Sequence, residues 1–391
     1  MQNETSLYQK VSELLSRGQW RDRRHLQTAV NLIVGLIFSG SIRIPSWLPF
    51  AQTGARFAQS VQRRFSRWLY NERIQVAKLY APLIKEALQE WGEATLYLAL
   101  DTTMLWNQYC LICLSVVYRG RAIPVVWQVI EHPSAQVAFT RYQPVLEAAI
   151  PLLPDYLRKI VLLADRGFAD VALMRWCRQV GWHFRLRIKS NFQVHRPHRP
   201  SIAVRDLLPR TAGQAVFYHY VQLTAQHYGP VHLAITQPPD EEQPWYIVSD
   251  ELSGLQTVQE YAGRFDIEEQ FLDNKSNGLQ LEDSRLRHAE ALERLFFGIA
   301  VTTLFLVAQG TEVVEQQRRR EVDPHWFRGS SYFKIGWLWI KQALLKGENL
   351  ISRCRLIGGP DPDPPKASLP QAQAAEKRWS EYQCVTISCA I

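Results

Sequence analysis

The order of short secondary-structure elements between residues 95 and 188 restricts the fold more than any other feature of the sequence. Spacing and periodicity predict, in chain order, three strands, a helix, a strand, a helix and a strand, at residues 96–100, 109–118, 122–130, 138–153, 159–164, 170–180 and 182–188. Short connections favour an antiparallel meander for the first three strands. The apolar strand at 159–164 is typical of a buried, central strand.

The order βββαβαβ is that of an RNase H-like core, so we expect an α/β protein. Residues 191–243 interrupt this core with several prolines and two predicted strands, 215–224 and 231–237, which we interpret as a β-rich insertion. The sequence predicts an all-α N-terminal DNA-binding domain at residues 1–92. The first part of the core follows at 93–190, the insertion at 191–243 and the second part of the core at 244–310. A C-terminal helical segment with a tail occupies residues 311–391.

Charge and helix pattern in the first domain point to DNA. The net charge of +8 favours a polyanionic partner, most often nucleic acid. Two short helices, a turn and a helix at 59–69 that carries Arg63, Arg64 and Arg67 predict a helix-turn-helix-like reader of double-stranded DNA. The alternative is a helical packing domain whose arginines are only solvated.

Several other functions are disfavoured by composition. Cys110 and Cys113 form a CxxC in an apolar run without a second pair, which indicates buried strand cysteines rather than a zinc site. The chain begins without a signal-like apolar region, and its longest apolar run, 295–308, is too short to span a bilayer. We therefore expect a cytoplasmic protein with neither a membrane partner nor a small-molecule substrate.

One face of the helix predicted at 253–276 carries an unusual set of side chains. Tyr261, Arg264, Glu268 and Lys275 are spaced so that they point the same way at about 100° per residue. A carboxylate flanked by cations and a phenol suits a surface that holds a metal ion and a phosphate together. The neighbouring carboxylate, Glu269, points about 100° away, so we favour Glu268 as a ligand.

Two aspartates are candidates for the same site. Asp101 lies in the first predicted strand of the core and Asp165 directly follows the fourth. Those two strands are adjacent in an RNase H-like sheet, so their carboxylates should emerge side by side. With Glu268 they provide three hard oxygen ligands, which suit Mg²⁺ or Mn²⁺ rather than zinc. Taken alone, an aspartate at a strand end is more often a turn former or helix cap than a ligand.

These residues together resemble a known family, the bacterial insertion-sequence DDE transposases of the IS-four type, which include the Tn-five transposase. Tyr261, Arg264, Glu268 and Lys275 match the Y-(2)-R-(3)-E-(6)-K signature of that family. Both aspartates are similar to its first and second catalytic aspartates. The resemblance covers roughly residues 20–310. It implies an RNase H-like fold, two Mg²⁺ or Mn²⁺ ions, and cut-and-paste transposition of an element by its terminal inverted repeats.

The resemblance also implies roles for single residues. Asp101, Asp165 and Glu268 should hold the metal ions and catalyse cleavage. Arg264 and Lys275 should grip phosphates near the cleaved bond, and Tyr261 should hydrogen-bond one.

In hairpin-forming relatives an aromatic side chain of the insertion stacks on a flipped base. The candidates are Tyr218, Tyr220, Tyr228 and Trp245, with Tyr220 and Trp245 named as possible base-stacking residues, although strand aromatics more often serve packing. A homodimer is expected because two DNA ends must be paired, and the aromatic segment 326–345 is a plausible surface for it. The alternatives are an RNase H-like nuclease without strand transfer and an idle, domesticated DNA-binding derivative.

Overall fold

The computed structural model describes residues 2–209, 213–238, 242–272, 283–365 and 382–389. The α-helices of these residues are α1 (Gln2–Leu15), α2 (Arg23–Ser39), α3 (Ile44–Trp47), α4 (Ala58–Leu69), α5 (Val76–Leu88), α6 (Phe139–Ala149), α7 (Val171–Gln179), α8 (Leu255–Ala262), α9 (Phe265–Leu272), α10 (Ala289–Glu315) and α11 (Tyr332–Lys346). The strands are β1 (Thr95–Leu105), β2 (Tyr109–Tyr118), β3 (Arg121–Glu131), β4 (Lys159–Ala164), β5 (His183–Arg187), β6 (Gln193–His195), β7 (Ile202–Ala203), β8 (Gln214–Leu223), β9 (Tyr228–Thr236), β10 (Trp245–Ser249) and β11 (Gln383–Ser388).

One mixed sheet organises the molecule. Its strand order is β3-β2-β1-β4-β5-β10-β9-β8-β6-β7, and β11 pairs with β8. Strands β1, β2 and β3 form an antiparallel meander, whereas β4 lies parallel to both β1 and β5. The predicted meander and the predicted adjacency of the first and fourth strands are therefore confirmed, and the sheet fits an RNase H-like core.

The β-rich insertion extends this sheet. Its two predicted strands correspond to β8 and β9, and β9 pairs with β10, which pairs in turn with β5. Insertion and core thus share one hydrogen-bonded ladder. Strand β11 near the end of the chain was not predicted. It adds in parallel to β8, and both of its faces are exposed.

The N-terminal helices pack on the core. Helix α2 begins at its N-cap Asp22 and ends at Gly40, which adopts the left-handed conformation that favours glycine. Helices α2, α4 and α5 contact α10, and their apolar side chains belong to the same core as the sheet. Residues before β1 are helical as predicted, while the domain boundary at residue 92 stays a prediction.

Helix α10 is the central helix of this core. At 27 residues it is long and apolar enough to cross a membrane, so the expectation drawn from its 14-residue apolar run underestimated it. However, 94% of its most apolar window is buried inside the protein, as expected of a core helix. It crosses α11 at Gly310 and Gly336. A Cβ on Gly336 would lie 1.9 Å from the carbonyl oxygen of Leu306, so the two backbones touch.

Buried cysteines in β2 complete the core. Cys110 and Cys113 are both buried and free, as the apolar run around them predicted. Burial raises the pKa of the Cys110 thiol to about 11. A thiol that stays protonated is a poor metal ligand, which agrees with a packing role.

Candidate active site

Strands β1 and β4 place two aspartates at the same end of the sheet. In their parallel register Leu100 pairs with Ala164, so Asp101 and Asp165 are the next residues of neighbouring strands. The backbone N–H of Thr102 donates to Asp101 Oδ1 over 2.7 Å. The expectation that two carboxylates emerge side by side follows directly from this register.

The long helix predicted at 253–276 is broken, which corrects the sequence interpretation. Helix α8 begins after Gly254 rather than at Ser253, and a tight turn at Gly263 and Arg264 separates it from α9. The backbone N–H groups of Gly263 and Arg264 bond to carbonyls three residues back, at 3.2 and 2.9 Å. The assumption of one continuous helical face therefore fails between Tyr261 and Glu268.

Arg264 lies at the centre of the site. Its side chain is 3% exposed and donates to Asp101 Oδ2 over 3.3 Å and to Glu268 Oε1. The guanidinium also lies 4.5 Å from the ring centroid of Phe265. Arg264 thus links a carboxylate of β1 to a carboxylate of α9 and neutralises part of their charge.

The charge of Asp101 depends on burial and on the charged groups around it. Burial raises the pKa of Asp101 to about 6, and Arg264 opposes this effect. The negative charges of Glu268 and Asp165 raise the pKa of Asp101 further. Arg264 is the cation that contacts Asp101 and Glu268, and it offsets part of this repulsion.

The residues present fit a divalent metal ion. Asp165 Oδ1 is buried and has no hydrogen-bond partner among the described residues. A buried carboxylate oxygen without a donor is costly in a native protein and calls for an explanation. An oxygen-only donor set of Asp101, Asp165 and Glu268 suits Mg²⁺ or Mn²⁺, and such an ion would satisfy the orphaned oxygen.

Tyr261 and Trp245 are placed inside a small apolar cluster. Tyr261 is fully buried, and burial raises the pKa of its phenol to about 12. Trp245 is also buried and stacks on Phe265, with ring centroids 5.5 Å apart. Both side chains are thus buried and inaccessible from the surface in this conformation. By contrast, Tyr220 is 41% exposed and has a positive φ of 60° within β8.

A second cluster of potential ligands lies at the opposite end of the sheet. His183, Asp250 and Glu251 are close enough to hold a metal ion. However, Glu251 already accepts from Lys159 over 2.7 Å and from Arg185. Since His183 begins β5 and Lys159 begins β4, the cluster is remote from Asp165, which follows β4. We interpret it as a structural ion network.

That network anchors α8, and sequence reasoning missed it. Arg185 is buried in β5 and donates through Nε to Glu260 Oε2 over 2.6 Å. The hydroxyl of Tyr97 donates to the other oxygen of Glu260 over 3.0 Å. Both bonds fix the helix that carries Tyr261 against the sheet. A lone arginine in a short strand gives no sequence signal for this, because its partner lies 75 residues away.

The three arginines predicted to read DNA lie on α4. Arg63, Arg64 and Arg67, named the α4 arginines below, are exposed, and none has an ion-pair partner among the described residues. The buried side of α4 carries Phe65 and Trp68 instead. Lys275 lies outside the described residues, and so does the side chain of Glu269.

The mixed sheet, with acidic side chains at the ends of its two central parallel strands and on the helix that follows, defines an RNase H-like enzyme core. The family model described as the transposase DDE domain matches residues 109–305, about half of the chain. The chain belongs to this family. The family indicates a transposase, a metal-dependent enzyme that transfers nucleotides. The match includes Asp165 and Glu268 but begins after Asp101. No curated protein matches the chain.

Proposed function

We propose that the protein is an IS-four-type transposase that cuts out its own insertion sequence and inserts it elsewhere. It would bind the terminal inverted repeats, cleave phosphodiester bonds and join the resulting 3′-OH ends to target DNA. The observation that carries the proposal is the bridge from Asp101 through Arg264 to Glu268. Beside it lies the unpartnered oxygen of Asp165.

The three carboxylates would hold two Mg²⁺ or Mn²⁺ ions. When bound, such ions activate a water molecule and stabilise the attacking and leaving oxygens of a displacement at phosphorus. Asp101 lies in β1 and Asp165 directly follows the neighbouring strand β4, so the strand register brings the two residues to the same end of the sheet. Glu268 reaches the site from α9, which packs across β1, β2 and β3.

The remaining signature residues would bind the scissile DNA. Arg264 is charged and central, and a guanidinium released from its two carboxylates is a strong bidentate ligand for phosphate. Tyr261 would reach a phosphate only after leaving its apolar cluster. We retain Lys275, the third residue of this group, as a phosphate ligand on its place in the signature alone.

Other contacts to DNA would come from outside the core. The exposed α4 arginines suit the phosphate backbone of the inverted repeats. Tyr220 is favoured over Trp245 for stacking on a flipped base, because Tyr220 is exposed and Trp245 is packed against Phe265. The protein would act as a homodimer on two paired DNA ends, with segment 326–345 as the dimer surface. It would be located in the cytoplasm and associate with the nucleoid when bound to DNA.

Cleavage of the element's own ends tests this function. Wild-type protein with Mg²⁺ or Mn²⁺ should nick DNA that carries those ends, and Asp101→Asn, Asp165→Asn and Glu268→Gln should each abolish nicking. Asp155→Asn, in an exposed turn, is the matched control and should nick normally. If Glu268→Gln still nicks, Glu268 is not the third ligand.

A joining assay separates a transposase from a nuclease. Pre-cut ends with free 3′-OH groups are incubated with target DNA and Mn²⁺. Joined products support transposition, whereas cleavage of intact ends without any joining would favour an RNase H-like nuclease. Specific binding of the ends without cleavage would indicate an idle DNA-binding derivative.

A further inference from the structure

A buried carboxylate at the end of α8 is held by two strands of the sheet. Glu260 Oε2 accepts from Arg185 Nε over 2.6 Å, and Glu260 Oε1 accepts from the hydroxyl of Tyr97 over 3.0 Å. The side chains of Arg185 and Glu260 are 4% and 8% exposed, so solvent and salt screen this ion pair little. The end of α8 is therefore fixed to β1 and β5 at the same time.

The same stretch of chain is joined to β1 a second time, at the candidate metal site. Arg264 lies four residues after Glu260. It donates to Asp101, which lies four residues after Tyr97. Successive side chains of a strand alternate between its faces, so Tyr97 and Asp101 lie on the same face of β1. Two contacts, roughly 13 Å apart at about 3.3 Å per residue of strand, thus align one short segment along one strand.

The backbone between these two contacts forms a tight turn that packs on the sheet. The N–H of Gly263 donates to the carbonyl of Glu260 over 3.2 Å, and the N–H of Arg264 donates to the carbonyl of Tyr261 over 2.9 Å. A Cβ on Gly263 would lie 3.5 Å from a methyl group of Val117 in β2. A displacement of Glu260 would therefore displace Arg264 as well, and α9 beyond it.

Stability of the fold is a weak explanation for this ion pair. Taking two charges out of water costs free energy, and apolar residues of similar volume often stabilise a protein as well as a buried ion pair does. The pair differs from apolar packing in geometry, because hydrogen bonds to both carboxylate oxygens of Glu260 are directional. Such bonds suit an element whose alignment on the sheet matters.

We propose that Glu260 is a positioning residue for Arg264 and Glu268. Its bonds to Arg185 and Tyr97 hold the end of α8, so the turn that follows delivers both side chains to the aspartates. The inference rests on the proposed function, since Glu268 is a metal ligand only there. Glu260 acts through the turn and is not itself a ligand.

The affinity for Mn²⁺, obtained from unfolding midpoints, tests this role. The background is Arg264→Met, in which no guanidinium competes for the carboxylates. There Glu260→Ala should raise the dissociation constant for Mn²⁺ about tenfold, at the lower end of the range for residues that orient metal ligands. Glu260→Gln keeps an oxygen acceptor and should retain most of the affinity. When Glu268→Gln is added, Glu260→Ala should no longer change the dissociation constant, because the ligand that it positions is gone.

Two features of the chain keep the test feasible if stability falls. Arg185 retains its ion pair with Glu251 in Glu260→Ala, so no buried charge is left without a partner. Tyr97→Phe removes only one hydrogen bond to Glu260 and should weaken Mn²⁺ binding in the same direction.

A second readout needs no metal ion. In urea unfolding without divalent ions, Arg264→Met should lower the midpoint less in a Glu260→Ala background than in the wild type. The reason is that Arg264 would already have lost its place beside Asp101, and residues that act through one another are not additive. Equal shifts in the two backgrounds would contradict the positioning role.

Asp361 provides a matched control with the same two kinds of donor. Its carboxylate accepts from Arg328 Nη2 over 2.7 Å and from the hydroxyl of Tyr332 over 2.6 Å, beside α11, which carries no candidate ligand. Asp361→Ala should lower the unfolding midpoint but leave the dissociation constant for Mn²⁺ unchanged. An unchanged constant in both Glu260→Ala and Tyr97→Phe would overturn the inference, and so would an equal loss of affinity in Asp361→Ala.

Failure of this inference and failure of the proposed function give different results. If the wild type binds Mn²⁺ and cleaves its element's ends while the Glu260 variants bind Mn²⁺ normally, only the positioning role is refuted. If Mn²⁺ binding depends on Glu260 as expected but the wild type does not cleave those ends, the proposed function fails and the positioning role stands. If the wild type binds no Mn²⁺, both fail.

Discussion

Replacing Arg264 tests the view that this side chain stands in for metal charge. Its Nη1 lies 3.3 Å from Asp101 Oδ2. At an effective dielectric constant of about 20, that contact contributes about 5 kcal/mol of Coulomb energy before desolvation is subtracted. Glu268 is 47% exposed, so solvent screens the second contact. Removing one partner of a buried pair costs about 3–5 kcal/mol. We expect the free energy of unfolding of Arg264→Met to be about 3 kcal/mol lower than that of the wild type, because protonation of Asp101 relieves part of the cost.

The sharper expectation concerns metal binding without DNA. In the wild type, a divalent ion competes with the guanidinium for Asp101 and Glu268, whereas in Arg264→Met it does not. If loss of this competition makes Mn²⁺ binding more favourable by only about 1.4 kcal/mol, a fraction of the Coulomb energy, the dissociation constant for Mn²⁺ decreases about tenfold. Mn²⁺ should therefore raise the unfolding midpoint of Arg264→Met more than that of the wild type, by the linkage between binding and stability.

Unfolding curves at pH 7.5 over a series of Mn²⁺ concentrations give the dissociation constants. Arg178→Met is the matched control, because Arg178 is an exposed arginine on α7, away from the site, that donates to the carbonyl of Pro230. Its Mn²⁺ affinity should equal that of the wild type. Equal or weaker Mn²⁺ binding by Arg264→Met would refute the reasoning and show that Arg264 organises the ligands.

Three further predictions concern pH, DNA and packing. The pKa of Asp101 is about 6 in the folded protein against an ordinary 3.8, so its contribution to stability is full below pH 3.8 and is lost as pH rises through 6. In urea unfolding, Asp101→Asn should therefore lose less stability than the wild type over this pH range. The Mn²⁺ affinity of the wild type should decrease below about pH 6, where Asp101 becomes protonated. The logarithm of the DNA-binding constant decreases with the logarithm of the salt concentration, and this dependence should weaken when the α4 arginines are changed to alanine, by up to about 0.9 per lost phosphate contact. Lys334→Ala on α11 should leave the dependence unchanged. Gly336→Ala should unfold at a clearly lower urea concentration than the wild type, because its Cβ would meet a backbone carbonyl oxygen at 1.9 Å. The unfolding midpoint of Gly298→Ala should decrease less, because its Cβ would meet the flexible end of the Leu32 side chain.

The predictable part of the fold rests on local signals. Strands 109–118 and 159–164 were placed to the residue, because each is an apolar run bounded by turn or polar residues. The adjacency of Asp101 and Asp165 followed from strand order alone. What periodicity missed was the break at Gly263. One glycine costs only about 1 kcal/mol within a helix, so tertiary contacts decide whether the helix continues there.

Non-local contacts account for the other differences. Burial of Tyr261 depends on Trp245 and Phe265, and the charged residues around it in the sequence suggested a surface instead. Strand β11 is exposed on both faces, so it lacks the alternation that marks a strand, and only the free edge of β8 defines it. Such features become visible only when the partner is known.

The break at Gly263 divides the metal ligands by how freely they can move. Asp101 lies in β1 and Asp165 directly follows β4, and both strands belong to a ladder of backbone hydrogen bonds that continues into the insertion. Glu268 stands on a short helix beyond a turn, and packing of α9 against β1, β2 and β3, rather than a backbone ladder, holds it in place. The position of the third candidate carboxylate therefore depends on side-chain packing, whereas the strand register positions the other two.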